Sequence, residues 1–281
     1  ASPRYVFTRL SPITRLLFPE EDDSFLSYEE EDGQRVEPTF FVPVVPTLLL
    51  NGTQGIGTGW STSVPPFHLP HVVDHVRHKL LGTTPAAPLT PHVVGFKGLI
   101  LPAAATTNTT TSAFRTTGVA KRQGATKLII SELPYGVWTD DYKQFLIGLT
   151  ERGDIKSFKE FHTTDTVHFE INSTKALLDA QEEDNFVTFF KLSSAISLNN
   201  MHAFDRHGKI NKYLSADDIV DAHFHVRHEA YATRKAALER IYAAEELRAR
   251  NKSNFIAGIL SGDINILTPR GAGTVAVSTT D

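Results

Sequence analysis

The residues able to do covalent chemistry sit at the head of the chain. Arg4 and Tyr5 are adjacent in the opening stretch ASPRYVFTR. A tyrosine phenol is a covalent nucleophile once a neighbour helps it shed its proton. A guanidinium beside it can stabilise a phenolate, or the pentavalent phosphorus of a phosphoryl transfer, through its planar fork of donors. The same stretch also reads as an alternating edge strand, with Tyr5 and Phe7 on one face and residues 6–10 extended. The pair alone leaves both readings open.

A second stretch, NGTQGIGTGW at residues 51–60, is rich in glycine. It does not fit a dinucleotide-binding loop. That pattern needs glycine where Trp60 stands, and a helix should start at once, whereas prolines precede this loop and no amphipathic helix follows. Taken alone, Ile56 is a hairpin-tip residue. Residues 191–200, KLSSAISLNN, place hydroxyls and amides after one lysine. Such groups donate well to phosphates, and the same alternation makes a strand, so both descriptions can hold together. Trp138 follows a Leu-Pro turn and is either a half-buried structural ring or a ligand contact. Twelve histidines invite a metal reading. The tightest groups are His68 with His71, and His223 with His225 and His228. Only His225 and His228 share a helical face and no acid completes a set, so the expectation is surface histidines and no metal site.

Taken in order, these motifs resemble the DNA breakage-reunion core of eukaryotic-type, type IIA DNA topoisomerases. The Arg4–Tyr5 pair is followed by RLLFPEEDD at 15–23, VEP at 36–38, FVPVVP at 41–46 and the glycine loop. FKG at 96–98, ISELP at 130–134, HTTD at 162–165 and the 191–200 stretch continue the series. The likeness runs over most of the chain, and bacterial gyrase-type enzymes look different in the glycine loop. It implies Tyr5 as the nucleophile forming a 5′-phosphotyrosyl link, and Arg4 as the stabiliser of the transition state. It implies Ile56 as a wedge entering a base step from the minor groove, framed by Gly55 and Gly57, where bare backbone approaches DNA. Trp138, Lys191, Ser193, Ser194, Ser197, Asn199 and Asn200 would contact DNA. The implied activity is ATP-hydrolysing, double-strand DNA passage by a homodimer, with no membrane partner. Mg²⁺ and ATP would be held by domains outside this chain, which by itself would be inactive. The nucleus is the implied location, with a mitochondrion or other DNA-containing organelle as the alternative. A contrasting hypothesis is a non-catalytic DNA-binding or scaffold module with a structural Tyr5.

Composition allows this. The 281 residues include no cysteine, which removes disulfides and thiolate metal sites. No run has the apolar length of a membrane span. The net charge of −4 is unexpected for a DNA binder, but it is segregated. Residues 20–37 hold nine acids and one base, and the remainder holds 27 bases against 23 acids. The acid block reads as a solvated loop facing away from DNA, or as a docking surface for another protein. The chain starts without Met or a leader and is expected to be a fragment.

The elements that must position these residues give an α+β fold class. The resemblance divides it into the end of a winged-helix DNA-gate domain at 1–65 and an α/β tower insertion at 66–213. A long helix beginning a coiled coil follows at 214–265, and then a disordered tail at 266–281. Ser11-Pro12 opens a short helix, while 40–45 and 47–50 are β-rich runs broken by Pro43 and Pro46. Pro70 starts and Gly82 ends a helix over 69–81. Short strands are expected at 93–94, 99–101, 128–130 and 167–171, and a helix at 141–150. The Ala/Thr-rich stretch 103–126 reads as a mobile loop or hairpin tip. Ser215 and Asp218 cap a helix that meets no Pro or Gly before about Arg250, and a second helix is expected at 254–260.

Overall fold

The computed structural model describes residues 2–103, 113–180 and 183–266. The chain forms two compact units, one of Ala1–Val42 with His228–Asp281, the other of Pro43–Arg227. The fold class is mixed α+β, with small sheets and a long C-terminal helix.

In the first unit, Pro3–Tyr5 is a single 3₁₀ turn. No strand follows at 6–10. Val6, Phe7 and Leu10 are exposed there, and a lone strand without a ladder partner is not stable. Helix α1 is Thr14–Leu17. The acid block is not a plain solvated loop. Glu20–Ser24 is a second 3₁₀ turn, with Asp22 buried. Arg15 pairs with Asp23 at 3.0 Å, and Arg234 reaches Glu21 at 3.3 Å and Asp22 at 3.6 Å. Strands β1 (Tyr28–Glu31) and β2 (Gln34–Pro38) then form an antiparallel hairpin. Asp32 and Gly33 both take positive φ, 50° and 74°, the geometry that matches a tight turn to strand twist.

The second unit opens with a correction. Thr47–Asn51 is a helix, α2, rather than a β run. Leucines are good helix formers, Leu49 is fully buried, and Gly52 ends the helix at φ 65°. Residues 40–45 form no strand either, since prolines break the ladder. A hairpin of β3 (Thr53–Ile56) and β4 (Ser61–Val64) comes next, then α3 (Leu69–Leu81) with Pro near its start and Gly82 in the left-handed conformation at its end. Residues 93–94 lie in a turn, not a strand.

Strands β5 (Leu99–Pro102) and β6 (Ala113–Thr117) pair antiparallel, and β7 (Val119–Gln123) pairs with β8 (Lys127–Glu132). Of the stretch 103–126, expected as a mobile loop or hairpin tip, residues 113–117 and 119–123 are strand, and 104–112 lies outside the described residues. Helix α4 is Thr139–Glu151, followed by β9 (Ser157–Glu160), β10 (Phe169–Asn172), α5 (Lys175–Ala180) and α6 (Glu183–Phe189). Strand β11 (Ser193–Ser197) joins β6, and β12 (Met201–Phe204) pairs with β13 (Ile210–Tyr213).

Two cores hold this unit. One gathers Leu49, Val64, Phe67, Val72, Phe114, Ile196, Met201 and Val220 around the β11-β6-β5 sheet. The other packs α4 and α6 on the β7-β8-β10-β9 sheet through Leu128, Ile130, Tyr142, Leu146, Phe169, Ile171 and Phe190. Tyr142 donates its hydroxyl to the Phe190 carbonyl at 2.7 Å, and burial pushes its phenol pKa up.

Helix α7 runs without a break over Ala216–Ser261, so the second helix expected at 254–260 is its continuation. A reciprocal capping box starts it. The Asp218 amide donates to Ser215 Oγ at 3.2 Å, and the Ser215 amide donates to Asp218 Oδ2 at 3.0 Å. Gly262, with φ 83°, follows its last residue. The tail expected to be disordered lies outside the described residues from 267 onward.

Candidate nucleic-acid interface

The Arg4–Tyr5 pair is set by the first 3₁₀ turn, closed by the Tyr5 amide donating to the Ser2 carbonyl at 3.0 Å. Proline at its first position fixes φ and lacks the donor that would be orphaned there. The Tyr5 side chain is exposed, and the Arg4 guanidinium carbon lies 4.9 Å from its ring centroid. The phenol is thus accessible, with a cation held against its π face.

The glycine stretch is the β3–β4 hairpin. Ile56 pairs with Ser61, and a four-residue loop of Gly57, Thr58, Gly59 and Trp60 closes it. The Gly57 amide donates to the Trp60 carbonyl at 2.7 Å, and Gly59 takes φ 79°. Ile56 ends its strand 92% exposed, so the chain itself gives this branched apolar side chain no core to enter. A side chain at Gly55 would meet nothing within 4 Å, and one at Gly57 would make only ordinary contact with the Trp60 carbonyl. The chain's own packing therefore does not demand bare backbone at either position.

The end of the 191–200 stretch anchors this hairpin. Asn200 Nδ2 donates to Ser61 Oγ at 2.9 Å, and the Ser63 amide donates to the Asn200 carbonyl at 2.8 Å. His202 Nδ1 lies 2.9 Å from Asn200 Oδ1, and its ring packs on Trp60 at 5.3 Å. Asn199 donates its amide to Ser197 Oγ. Ser193 and Ser194 lie on β11, opposite Thr117 and Thr116. Arg115 Nε donates to Ser193 Oγ at 2.7 Å, and Thr116 Oγ1 donates to the Ser194 carbonyl at 3.3 Å. Lys191 takes a left-handed φ of 49°, with its ammonium 4.8 Å from the Phe145 ring centroid. Trp138 is the residue before the first turn of α4, and its side chain is exposed, not half-buried.

The family model for the A subunits of DNA gyrase and topoisomerase IV matches residues 1–268. The chain belongs to that family. Its relatives include DNA topoisomerase 2 of Arabidopsis thaliana, 40% identical over 94% of this chain and 18% of that protein. DNA topoisomerase 2, mitochondrial, of Dictyostelium discoideum is 38% identical over 95% of this chain and 20% of its own length. The chain thus spans about a fifth of these relatives. The Plasmodium falciparum topoisomerase II DNA-binding, cleavage and re-ligation domain superposes with a TM-score of 0.83 at 32% identity. That match covers 96% of this chain and 36% of the solved one. The expected eukaryotic type II topoisomerase resemblance therefore stands, and so does the expected fold class.

Sequence reasoning missed the supports of the topoisomerase hairpin. His202 lies two residues beyond Asn200, the spacing that puts strand residues on one face. Gly52 is a packing glycine: a side chain there would come within 2.8 Å of the Val64 carbonyl, at a φ of 65°. Arg115 gave no signal because it lies within the Ala/Thr-rich stretch 103–126. The expected surface histidines include an exception in His75. It is buried, with Nδ1 at 2.8 Å from Asp217 Oδ1 and Nε2 at 3.0 Å from the Ala87 carbonyl.

Proposed function

We propose that this chain supplies the nucleophile and the base-step wedge of a type II topoisomerase DNA gate. The observation that carries the reading is the exposed Tyr5 phenol with the Arg4 guanidinium against it, in a chain of this family. Tyr5 Oη gives up its proton and attacks a backbone phosphorus, the bond from phosphorus to the 3′-oxygen breaks and that oxygen takes up a proton, and a 5′-phosphotyrosyl ester forms. The bond energy stays in that ester, so the 3′-hydroxyl can attack back and release Tyr5. Arg4 holds the charge that builds on the equatorial phosphate oxygens. Ile56 enters a base step, and Gly55, Gly57, Trp138, Lys191, Ser193, Ser194, Ser197, Asn199 and Asn200 follow the bent duplex. The partner is double-stranded DNA. The working form is a homodimer that cuts both strands, in the nucleus or, as one relative's name suggests, an organelle.

The family reaction uses Mg²⁺ and ATP. Among the described residues no three His, Asp or Glu side chains converge on a possible metal site. The described residues do not fit the metal, and no step above runs through it.

The deciding experiment is Tyr5→Phe in the full-length enzyme. The variant should bind DNA and yield no covalent protein–DNA adduct on denaturing gels. Adduct formation at the wild-type level would move the nucleophile to another residue and leave Tyr5 a structural role.

A further inference from the structure

A cavity of about 250 Å³ opens in the second unit between the start of α3 and the segment entering β5. Its lining mixes polar and apolar groups, His71, Thr90 and His92 together with Val93, Phe96 and Ile100. A third imidazole adjoins these two, since the His68 ring lies 5.0 Å from His71 and 4.5 Å from His92, edge-on to both. The walls are tied by backbone. The His92 amide donates to the Pro66 carbonyl at 2.8 Å, and Phe67 bridges to Pro91. The Phe96 ring is fixed as well. A side chain at Gly98 would run into the Phe96 ring and the Thr117 carbonyl, so bare backbone is what lets that ring lie where it does.

None of the three imidazoles makes a side-chain hydrogen bond or ion pair within the described residues. Among the described residues lining the cavity there is no Asp, Glu, Lys or Arg, so His71 and His92 are the titratable groups that face it. They do not converge as metal ligands. Desolvation, then repulsion from His92 and His71, lowers the His68 pKa. A bound anion favours the charged form of an imidazole beside it. Apolar walls with a few convergent polar groups are the usual form of a small-molecule site.

We propose that this cavity binds a small aromatic carboxylate. Its carboxylate lies against His71, Thr90 and His92, and its ring against Val93, Phe96 and Ile100. Because the ligand favours the charged imidazoles, binding takes up protons and strengthens as pH falls.

The probe is sodium benzoate, titrated into the 281-residue chain while the histidine Cε1–H resonances are followed by NMR. Saturable shifts of His68, His71 and His92 are expected, with affinity about tenfold higher near pH 6 than near pH 8, equivalent to one pKa unit of linkage. His71→Gln and His92→Gln should remove the response, and Thr90→Val should weaken it. A thermal melt of each variant shows whether it is folded. If the histidine variants do not fold, a natively melting Thr90→Val with unchanged affinity overturns the proposal. So does the absence of saturation, or binding of acetate or inorganic phosphate as tightly as benzoate. A Zn²⁺ response from the same resonances without any benzoate response also overturns it.

Discussion

Arg4 and Ile56 can be separated by what each substitution leaves intact. Arg4→Lys keeps the charge and loses the planar fork. Cleavage and religation should fall by on the order of a hundredfold, about 3 kcal/mol in the transition state, while DNA affinity changes little. Equal losses in affinity and cleavage would make Arg4 a phosphate-positioning residue. Ile56 is the converse case. At 92% exposure it contributes nothing to the core, so Ile56→Ala should move the unfolding free energy of the DNA-free protein by no more than about 0.5 kcal/mol. Its effect belongs on the duplex, as a smaller bend measured by end-to-end energy transfer and a weaker preference for flexible pyrimidine–purine steps. An unchanged bend with a lowered melting temperature would place Ile56 in packing and remove the wedge.

At the scale of elements, the hairpin depends on residues outside its own sequence. Asn200 bonds Ser61 and His202 through its side chain and Ser63 through its backbone carbonyl, so Asn200→Ala removes the two side-chain ties while leaving the Ser63 bond and every hairpin residue in place. Amide exchange at the Gly57 position should quicken, and cleavage should fall without any change at Tyr5. Unchanged exchange would show that the hairpin holds itself. Gly52 tests the other end. A methyl group there meets the Val64 carbonyl at 2.8 Å and needs a φ that alanine resists, so Gly52→Ala should cost about 1–3 kcal/mol in unfolding experiments.

At the scale of the whole molecule, His223 is one group through which pH should act on stability. Its Nε2 lies 2.9 Å from the Pro43 carbonyl, and its Nδ1 is buried without a protein acceptor among the described residues. Burial lowers its pKa from 6.5, the Pro43 bond opposes that, and the Arg227 charge lowers it further. A lowered folded value means the unfolded chain takes the proton first. This contribution to stability is therefore intact above about pH 6.5 and is lost as pH falls through that value toward the folded one. Chemical denaturation at stepped pH should show the loss, and His223→Gln should flatten this part of the profile. An unaltered profile in the variant would assign the acid sensitivity to other groups.

Local chemistry was legible wherever one residue type forces one backbone state. Pro70 and Gly82 bounded α3, and Ser215 with Asp218 opened α7, because caps act within a turn of chain. Asp32-Gly33 carried the same kind of signal for the β1–β2 hairpin, and the density of acids around it hid the turn. The order of motifs from Arg4 to Asn200 was enough for the family. Tertiary structure decided the rest. Whether 47–50 became strand or helix depended on Leu49 finding a core, and whether 6–10 became a strand depended on a ladder partner. The hairpin could be read from its glycines, but its anchoring by Asn200 could not, because that bond joins residues 139 positions apart. Sequence patterns report what neighbours impose on one another. They do not report which distant side chains folding will bring within hydrogen-bond reach.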